Sequence, residues 1–321
     1  MTRQSGLPTQ CCVAVGPAMI IPHALPDELF IGYRARLAIV NGVTSPNVLA
    51  AKLVAASGRD STDIDPTCAL IHVAAKAAQK SPMAFLDAHS NFRINCTPGK
   101  YLEANALEST LTPTQVLHVI APSTIGLRVC RACIDEDLRA HGFSTWRRSH
   151  HVPGRYICPR HDVALLLIRR CGDITALPDA VIADGLHADK NLLRLARHNP
   201  SIGRYLEHMD RIVDGKLVIE RGDVTASIRS ALLKQGEPLY SRGWTSIFAA
   251  RIARVFSFEW LQQALSPTCK STDAIAMNFV RGLFYDYSHM SHPTFAVLAS
   301  VAVDWVHRHD LQVVDDECLF V

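Results

Sequence analysis

The stretch from Cys130 to Leu165, CRACIDEDLRAHGFSTWRRSHHVPGRYICPRHDVAL, decides how this chain is read. Cys130 and Cys133 stand three positions apart. After an interval of 24 residues, Cys158 and His161 repeat that spacing. A C-x-x-C turn aims two thiolates at one point, and C-x-x-H replaces one of them with an imidazole nitrogen. Together the pairs form a Cys3His set suited to tetrahedral zinc. Four protein ligands close the shell, so the expected Zn2+ is a single structural ion with no position for a catalytic water. The competing reading is two chance pairs among ten cysteines. The order of the pairs and their ribbon-like interval argue against it. His150 or His151 in place of His161 is disfavoured, because neither lies in a knuckle.

The interval has its own pattern. Asp135-Glu136-Asp137 follows the first knuckle and suits a helix N-terminus, where the dipole favours acids. Trp146-Arg147-Arg148-Ser149-His150 comes next, then a Pro153-Gly154 turn, then Tyr156 leading into Cys158. Taken with Cys130-Arg131-Ala132-Cys133 before it and Cys158-Pro159-Arg160-His161 with Leu165 after it, this stretch resembles the zinc module of the TniQ/TnsD family of transposition target-selection proteins. It departs from the family pattern at Arg131, where Pro is expected. A second similarity lies upstream, in Leu25-Pro26-Asp27-Glu28-Leu29-Phe30 through Arg36-Leu37-Ala38 and Asn41-Gly42, which is similar to the start of TniQ-type proteins.

The resemblance implies an adaptor rather than an enzyme. One face would engage DNA, or a DNA-bound targeting complex such as a CRISPR-type guide complex. Another would recruit a AAA+ ATPase regulator, which brings the transposase. Some relatives are homodimers. The alternative function is a zinc-ribbon, sequence-specific transcriptional regulator independent of transposition. Direct reading of DNA and recruitment through a guide complex both call for basic surfaces and helical modules, so the two stay open here. A zinc hydrolase would need an open metal site. The chain also has no G-x-x-x-x-G-K-[ST] loop, no H-E-x-x-H, and no H-x-E paired with P-C-x-x-C. Ser149, His150, His151 and Asp162 suggest a hydrolase, but adjacency in sequence makes no triad and no nucleophile elbow surrounds Ser149.

Composition is that of a globular protein: 321 residues, 48% hydrophobic and 20% charged. No apolar run is long enough for a membrane span. Cys11–Ile21 is interrupted by Gly16-Pro17, lacks a convincing cleavage site, and reads as an extended segment packed on the first domain rather than a signal peptide. Three metal-spaced cysteines among ten, without a secretion signal, point to a reducing cytoplasm. The remaining thiols read as small buried hydrophobes.

Net charge is only +3 but uneven: residues 121–170 hold nine Arg and four acids, a balance of +5. A phosphate-facing surface would use Arg147, Arg148 and Arg155, since Arg grips phosphate bidentately. A solvated basic face, or arginines paired with the acidic cluster, explains the same count.

The fold is expected to be mainly α, with helical N-terminal (1–120) and C-terminal (173–321) domains around a central zinc ribbon (121–172). Asp27 is read as the N-cap of a helix ending at Asn41-Gly42. Further helices start near Pro46, Asp65-Pro66, Ser81-Pro82 and Thr112-Pro113. Ala164–Ile168 reads as a strand, and 172–190 as a loop-like domain boundary. Helices resume at Lys190, break at Asn199-Pro200, and continue to a turn at Gly215. Asp223 is the expected cap of a helix ended by Gly236. A loop then leads to Ser246–Phe256 and Phe258–Leu265, with a last helix at Thr294–Trp305. Arg251 and Arg254 share one face of the second member of this helix–loop–helix, which is compatible with helix-turn-helix recognition of DNA.

Overall fold

The computed structural model describes residues 13–14, 19–57, 66–95, 126–168, 176–217, 221–234, 236, 243–264, 271–275, 280 and 297–302. The expected helix at Thr112-Pro113 lies outside them. The chain is mainly helical with a small sheet, and it gathers around a cluster of three cysteines and one histidine. No described helix is long and apolar enough to cross a membrane.

The N-terminal region pairs β1 (Val13–Ala14) with β2 (Ile20–Ile21) and then packs helices. These are α1 (Phe30–Val40), α2 (Pro46–Ser57), α3 (Pro66–Ala77), α4 (Pro82–His89) and the single turn α5 (Phe92–Asn95). Proline opens α2, α3 and α4, where its missing N–H costs nothing. Ser81 caps α4 by accepting from the Ala84 N–H at 3.2 Å. Ile21, Phe30, Tyr33, Leu37, Leu70 and Phe85 fill the core between these elements. The Asn41 side chain closes α1 and pairs with both backbone groups of Ile20, holding β2 against the helix end.

Asp27 is not the cap of α1, a correction to the sequence reading. The N-cap is Leu29, which has no side chain to donate or accept. Asp27 sits at φ 58°, and its carboxylate is taken by Ser149, so it is unavailable to the helix.

The central module is built on β3 (Leu127–Val129), α6 (Arg131–His141), a 3-10 turn at Arg148–His151, and β4 (Leu166–Ile168). β4 pairs antiparallel with β3 on one edge and with β5 (Leu186–His187) on the other. The stretch expected to be loop therefore contains structure. Pro178 opens a one-turn helix, α7 (Pro178–Val181), a 3-10 turn follows at Ile182–Asp184, and β5 returns to the sheet. Gly185 permits this return, because a Cβ there would lie 2.9 Å from the Ile182 carbonyl and 3.1 Å from the Leu166 Cβ.

The C-terminal region contains α8 (Lys190–His198), α9 (Pro200–Val213), α10 (Arg221–Lys234), α11 (Trp244–Phe256), α12 (Phe258–Ala264), α13 (Thr272–Ile275) and a helical piece at 297–302. Asp189 caps α8, and Asn199 both ends α8 and caps α9. α10 begins at Arg221, so Asp223 lies within its first turn rather than at its cap. Tyr205, Phe248, Phe256, Trp260 and Leu298 anchor the core. Phe256 stacks on Trp260, while Tyr205 meets both rings edge-on.

Candidate metal centre

The first knuckle is the first turn of α6. Cys130 is its N-cap residue and Cys133 lies on that turn, so both sulfurs sit at the positive end of the helix dipole, which favours thiolate. The acids Asp135, Glu136 and Asp137 therefore fall in the body of the helix, not at its N-terminus as expected, because the ligand pair already occupies that position. The second knuckle is a tight turn in which the Cys158 N–H donates to the Val163 carbonyl at 2.8 Å and the Asp162 N–H returns to the Cys158 carbonyl at 3.0 Å.

The two knuckles bring Cys130, Cys133, Cys158 and His161 together, with one ligand atom from each and all four atoms within 4.8 Å of one another. His161 Nδ1 lies 3.6 Å from Cys130 Sγ, 3.3 Å from Cys133 Sγ and 3.6 Å from Cys158 Sγ. The Cys133 and Cys158 sulfurs are 3.7 Å apart. A tetrahedral ion with metal–sulfur bonds of about 2.3 Å and metal–nitrogen bonds of about 2.0 Å spans edges of about 3.8 Å between sulfurs and about 3.5 Å from sulfur to nitrogen. The residues fit such an ion in donor type and in spacing. All three sulfurs are buried. Crowding divides their acidity: hydrogen bonds from Cys130 and Cys133 pull the Cys158 thiol down, while Cys133 is pushed up. Holding all three as thiolates requires a cation among them.

A second layer orients these ligands. Glu136, one turn past Cys133 on α6, meets His161 Nε2 at 2.9 Å and Arg160 at 2.9 Å. A carboxylate accepting from Nε2–H leaves the Nδ1 lone pair facing the sulfurs. Hydrogen bonding to His161 holds the Glu136 carboxyl below its ordinary range, and the same bond raises His161. His150 Nε2 lies 3.5 Å from Cys158 Sγ and 3.6 Å from Cys133 Sγ. The sequence reads both residues for other places: Glu136 as part of a helix-start cluster 25 residues from its partner, and His150 as a disfavoured substitute ligand outside both knuckles.

Three arginines between the knuckles turn inward. Arg147 pairs with buried Asp137, which also accepts from the Thr145 N–H at 3.2 Å and hydroxyl at 3.0 Å. Arg148 donates to the Asp87 carbonyl at 2.6 Å, and Arg155 pairs with Asp210. A guanidinium committed to an internal partner has less edge left for phosphate: Arg147 braces the module itself, while Arg148 and Arg155 reach to the helical parts on either side. Arg128, another of the nine arginines, is buried under the module. It donates to the Val152 and Arg155 carbonyls and lies over the Tyr156 ring. Of the pair on α11, Arg254 is exposed and Arg251 is half-buried. Ser149 and His150 share no site with Asp162: Ser149 donates to Asp27 at 2.5 Å, His150 faces the sulfurs, and Asp162 is exposed.

Two joints tie the module to its neighbours. On the N-terminal side, Asp27–Leu29 lies against Trp146–Ser149. The Leu29 N–H donates to the Trp146 carbonyl and the Arg148 N–H to the Asp27 carbonyl, both at 2.7 Å. Glu28 sends its side chain the other way, into a fully buried two-pronged pair with Arg36 at 2.7 Å. On the C-terminal side, the Trp260 indole donates to the Gly154 carbonyl at 3.0 Å, and its ring covers the Pro153-Gly154 turn. Gly154 has φ 76°, and a Cβ there would lie 2.2 Å from the indole ring, so the turn requires glycine twice over.

Comparison with known proteins locates this architecture. None of the curated proteins matches the chain. The TniQ family model matches residues 19–165, from the residue before β2 through the Asp27 joint to the end of the second knuckle, and so takes in all four ligand residues. Residues 19–165 of this chain thus match the TniQ family, whose domain is associated with transposition target selection in general.

Proposed function

We propose that the chain is a target-site selection adaptor in transposition, in which a structural zinc ion held by Cys130, Cys133, Cys158 and His161 fixes an N-terminal helical part (1–120) and a C-terminal helical part (173–321) to one central module (121–172). The observation that carries this reading is that the family-matched segment ends in a closed Cys3His set and docks on both sides of itself. A closed set suits a scaffold, not a catalyst. The reading accordingly assigns the chain no reaction of its own.

The outward surfaces of this scaffold carry its contacts. On α11, Ile247 is 55% exposed, and Ser246, Ala250 and Arg254 share its solvent side. On α8, Lys190, Arg194 and Arg197 fall on one exposed face. In this reading Arg251 and Arg254 on α11 meet DNA directly, or meet a DNA-bound targeting complex. A separate face recruits the AAA+ ATPase regulator, and a second copy of the chain completes a dimer. Arg147 supports this by bracing the module, and Arg148 and Arg155 by holding its joints.

Binding of the purified chain to random and candidate target duplexes across a salt series tests the reading. A preferred site with a steep salt slope, weakened by Arg254→Ala, is the result expected for direct reading. Sequence-blind or absent DNA binding, together with co-purification of an ATPase and a targeting complex, assigns the address to another complex and keeps the adaptor role. Tight operator binding with no ATPase partner would overturn the reading in favour of a transcriptional regulator.

A further inference from the structure

The fifth polar group at the metal centre has no part in the four-ligand set. His150 sits in the 3-10 turn Arg148–His151 and is 1% exposed. Its Nε2 faces the edge between two sulfurs, 3.5 Å from Cys158 and 3.6 Å from Cys133. His161 Nδ1, by contrast, is within 3.6 Å of all three sulfurs. His161 thus occupies a vertex of the tetrahedron and His150 an edge. Its other ring nitrogen, Nδ1, is buried without a hydrogen-bond partner. A buried polar atom left unpaired costs stability, so the ring earns its place through Nε2.

Charge explains what Nε2 does there. Three thiolates around a divalent cation leave one net negative charge in a buried site, and such a charge needs donors around it. We propose that His150 is a positioning residue of the metal centre: its imidazole donates Nε2–H across the Cys133–Cys158 edge, strengthening retention of the ion and shielding those two sulfurs from electrophiles. His150 is not a ligand in this account. It anchors instead the turn whose neighbouring residues, Arg147, Arg148 and Ser149, make the N-terminal joint, so ion and joint are coupled through one ring.

This inference rests on the metal reading above, and the test separates the two. The full-length chain would be prepared with His150→Gln, which keeps an N–H donor at similar reach, and with His150→Leu, which has similar bulk and no donor. His161→Ala serves as the ligand control. Zinc affinity is read by chelator competition, thiolate exposure by the rate of iodoacetamide alkylation, and coordination by the visible spectrum of the cobalt-substituted protein. The expected result is a roughly 10- to 100-fold loss of affinity and faster alkylation in His150→Leu, with substantial recovery in His150→Gln. The tetrahedral cobalt bands should persist in both His150 variants and change in His161→Ala. If His150→Leu fails to fold while His150→Gln folds and holds the ion, the donor role is likewise supported. Equal affinities and alkylation rates in the Gln and Leu variants overturn it, as does a His150 variant that loses the tetrahedral bands. Absence of metal from the wild-type chain removes the metal reading and this inference together.

Discussion

The module's two joints are made of different materials. The N-terminal joint is held mainly by directional contacts, with Leu29 entering the module's core: backbone exchange between Asp27–Leu29 and Trp146–Arg148, the Asp27–Ser149 pair, and the Asn91 amide on the His151 carbonyl at 3.0 Å. The C-terminal joint is mostly a matter of fit. Val152 and Tyr156 belong to the C-terminal core, and Trp260 lies on Gly154. A polar joint specifies register, since each donor has one acceptor at one spacing. An apolar joint supplies burial, which is less directional but intolerant of added volume. The module is thus positioned from one side and clamped from the other. The joints should fail differently.

Glu28→Gln should be the most damaging of the point changes considered. Glu28 and Arg36 are both fully buried, so Arg36 would keep its charge with no carboxylate, a loss of about 3–5 kcal/mol in denaturant unfolding. A wild-type midpoint in this variant would break the claim that the hook carrying Asp27 depends on that pair. Gly154→Ala comes next. The left-handed backbone costs about 1–2 kcal/mol for a Cβ, and the overlap with Trp260 costs about 1–3 kcal/mol more. Trp260→Phe in the same chain should recover the overlap part alone, and a double-mutant cycle reads that coupling. At the N-terminal joint, Gly32→Ala should be nearly neutral. Its Cβ would approach the Trp146 nitrogen at 3.2 Å, while helix propensity improves by about 1 kcal/mol.

Arg155→Met should cost less than Glu28→Gln, about 1 kcal/mol. Its partner Asp210 is 41% exposed and regains water when the guanidinium is removed. A pH dependence is also expected at the N-terminal joint. His89 donates from Nδ1 to the Glu28 carbonyl at 3.1 Å, and burial lowers its pKa from 6.5 to about 4. The unfolded chain therefore takes up this proton first. The stability the neutral ring provides is intact above pH 6.5 and is lost as pH falls toward 4, at no more than about 1.4 kcal/mol per pH unit. His89→Asn should flatten that slope between pH 6.5 and 5. An unchanged slope would place the acid sensitivity elsewhere.

What the sequence makes legible follows from range. Both knuckles are contained in four residues each, so spacing alone pairs their ligands. The same holds for Asn199-Pro200, which breaks and restarts a helix within two residues, and for the proline starts of α2 to α4. Asp27 shows where this ends. As a local residue ahead of an apolar run it reads as a helix cap, yet its side chain answers to Ser149, 122 residues away. Arg147 is an intermediate case. A cluster of arginines reads equally as a phosphate surface or as partners for the nearby acids, and only the fold of α6 brings Asp137 beneath it. β5 was hidden for a related reason: two residues of strand have no periodicity, and they become a strand only because β4 offers an open edge.

The central claim is that an ion between the knuckles holds both joints together. The most direct measurement is metal content of the purified chain, followed by hydrogen exchange before and after chelation. The account predicts one zinc per chain, with protection lost on chelation across Cys130–Leu165 and also at Leu29–Tyr33 and around Trp260. A chain without stoichiometric metal, or one whose two joints keep their protection once the metal is removed, would contradict it.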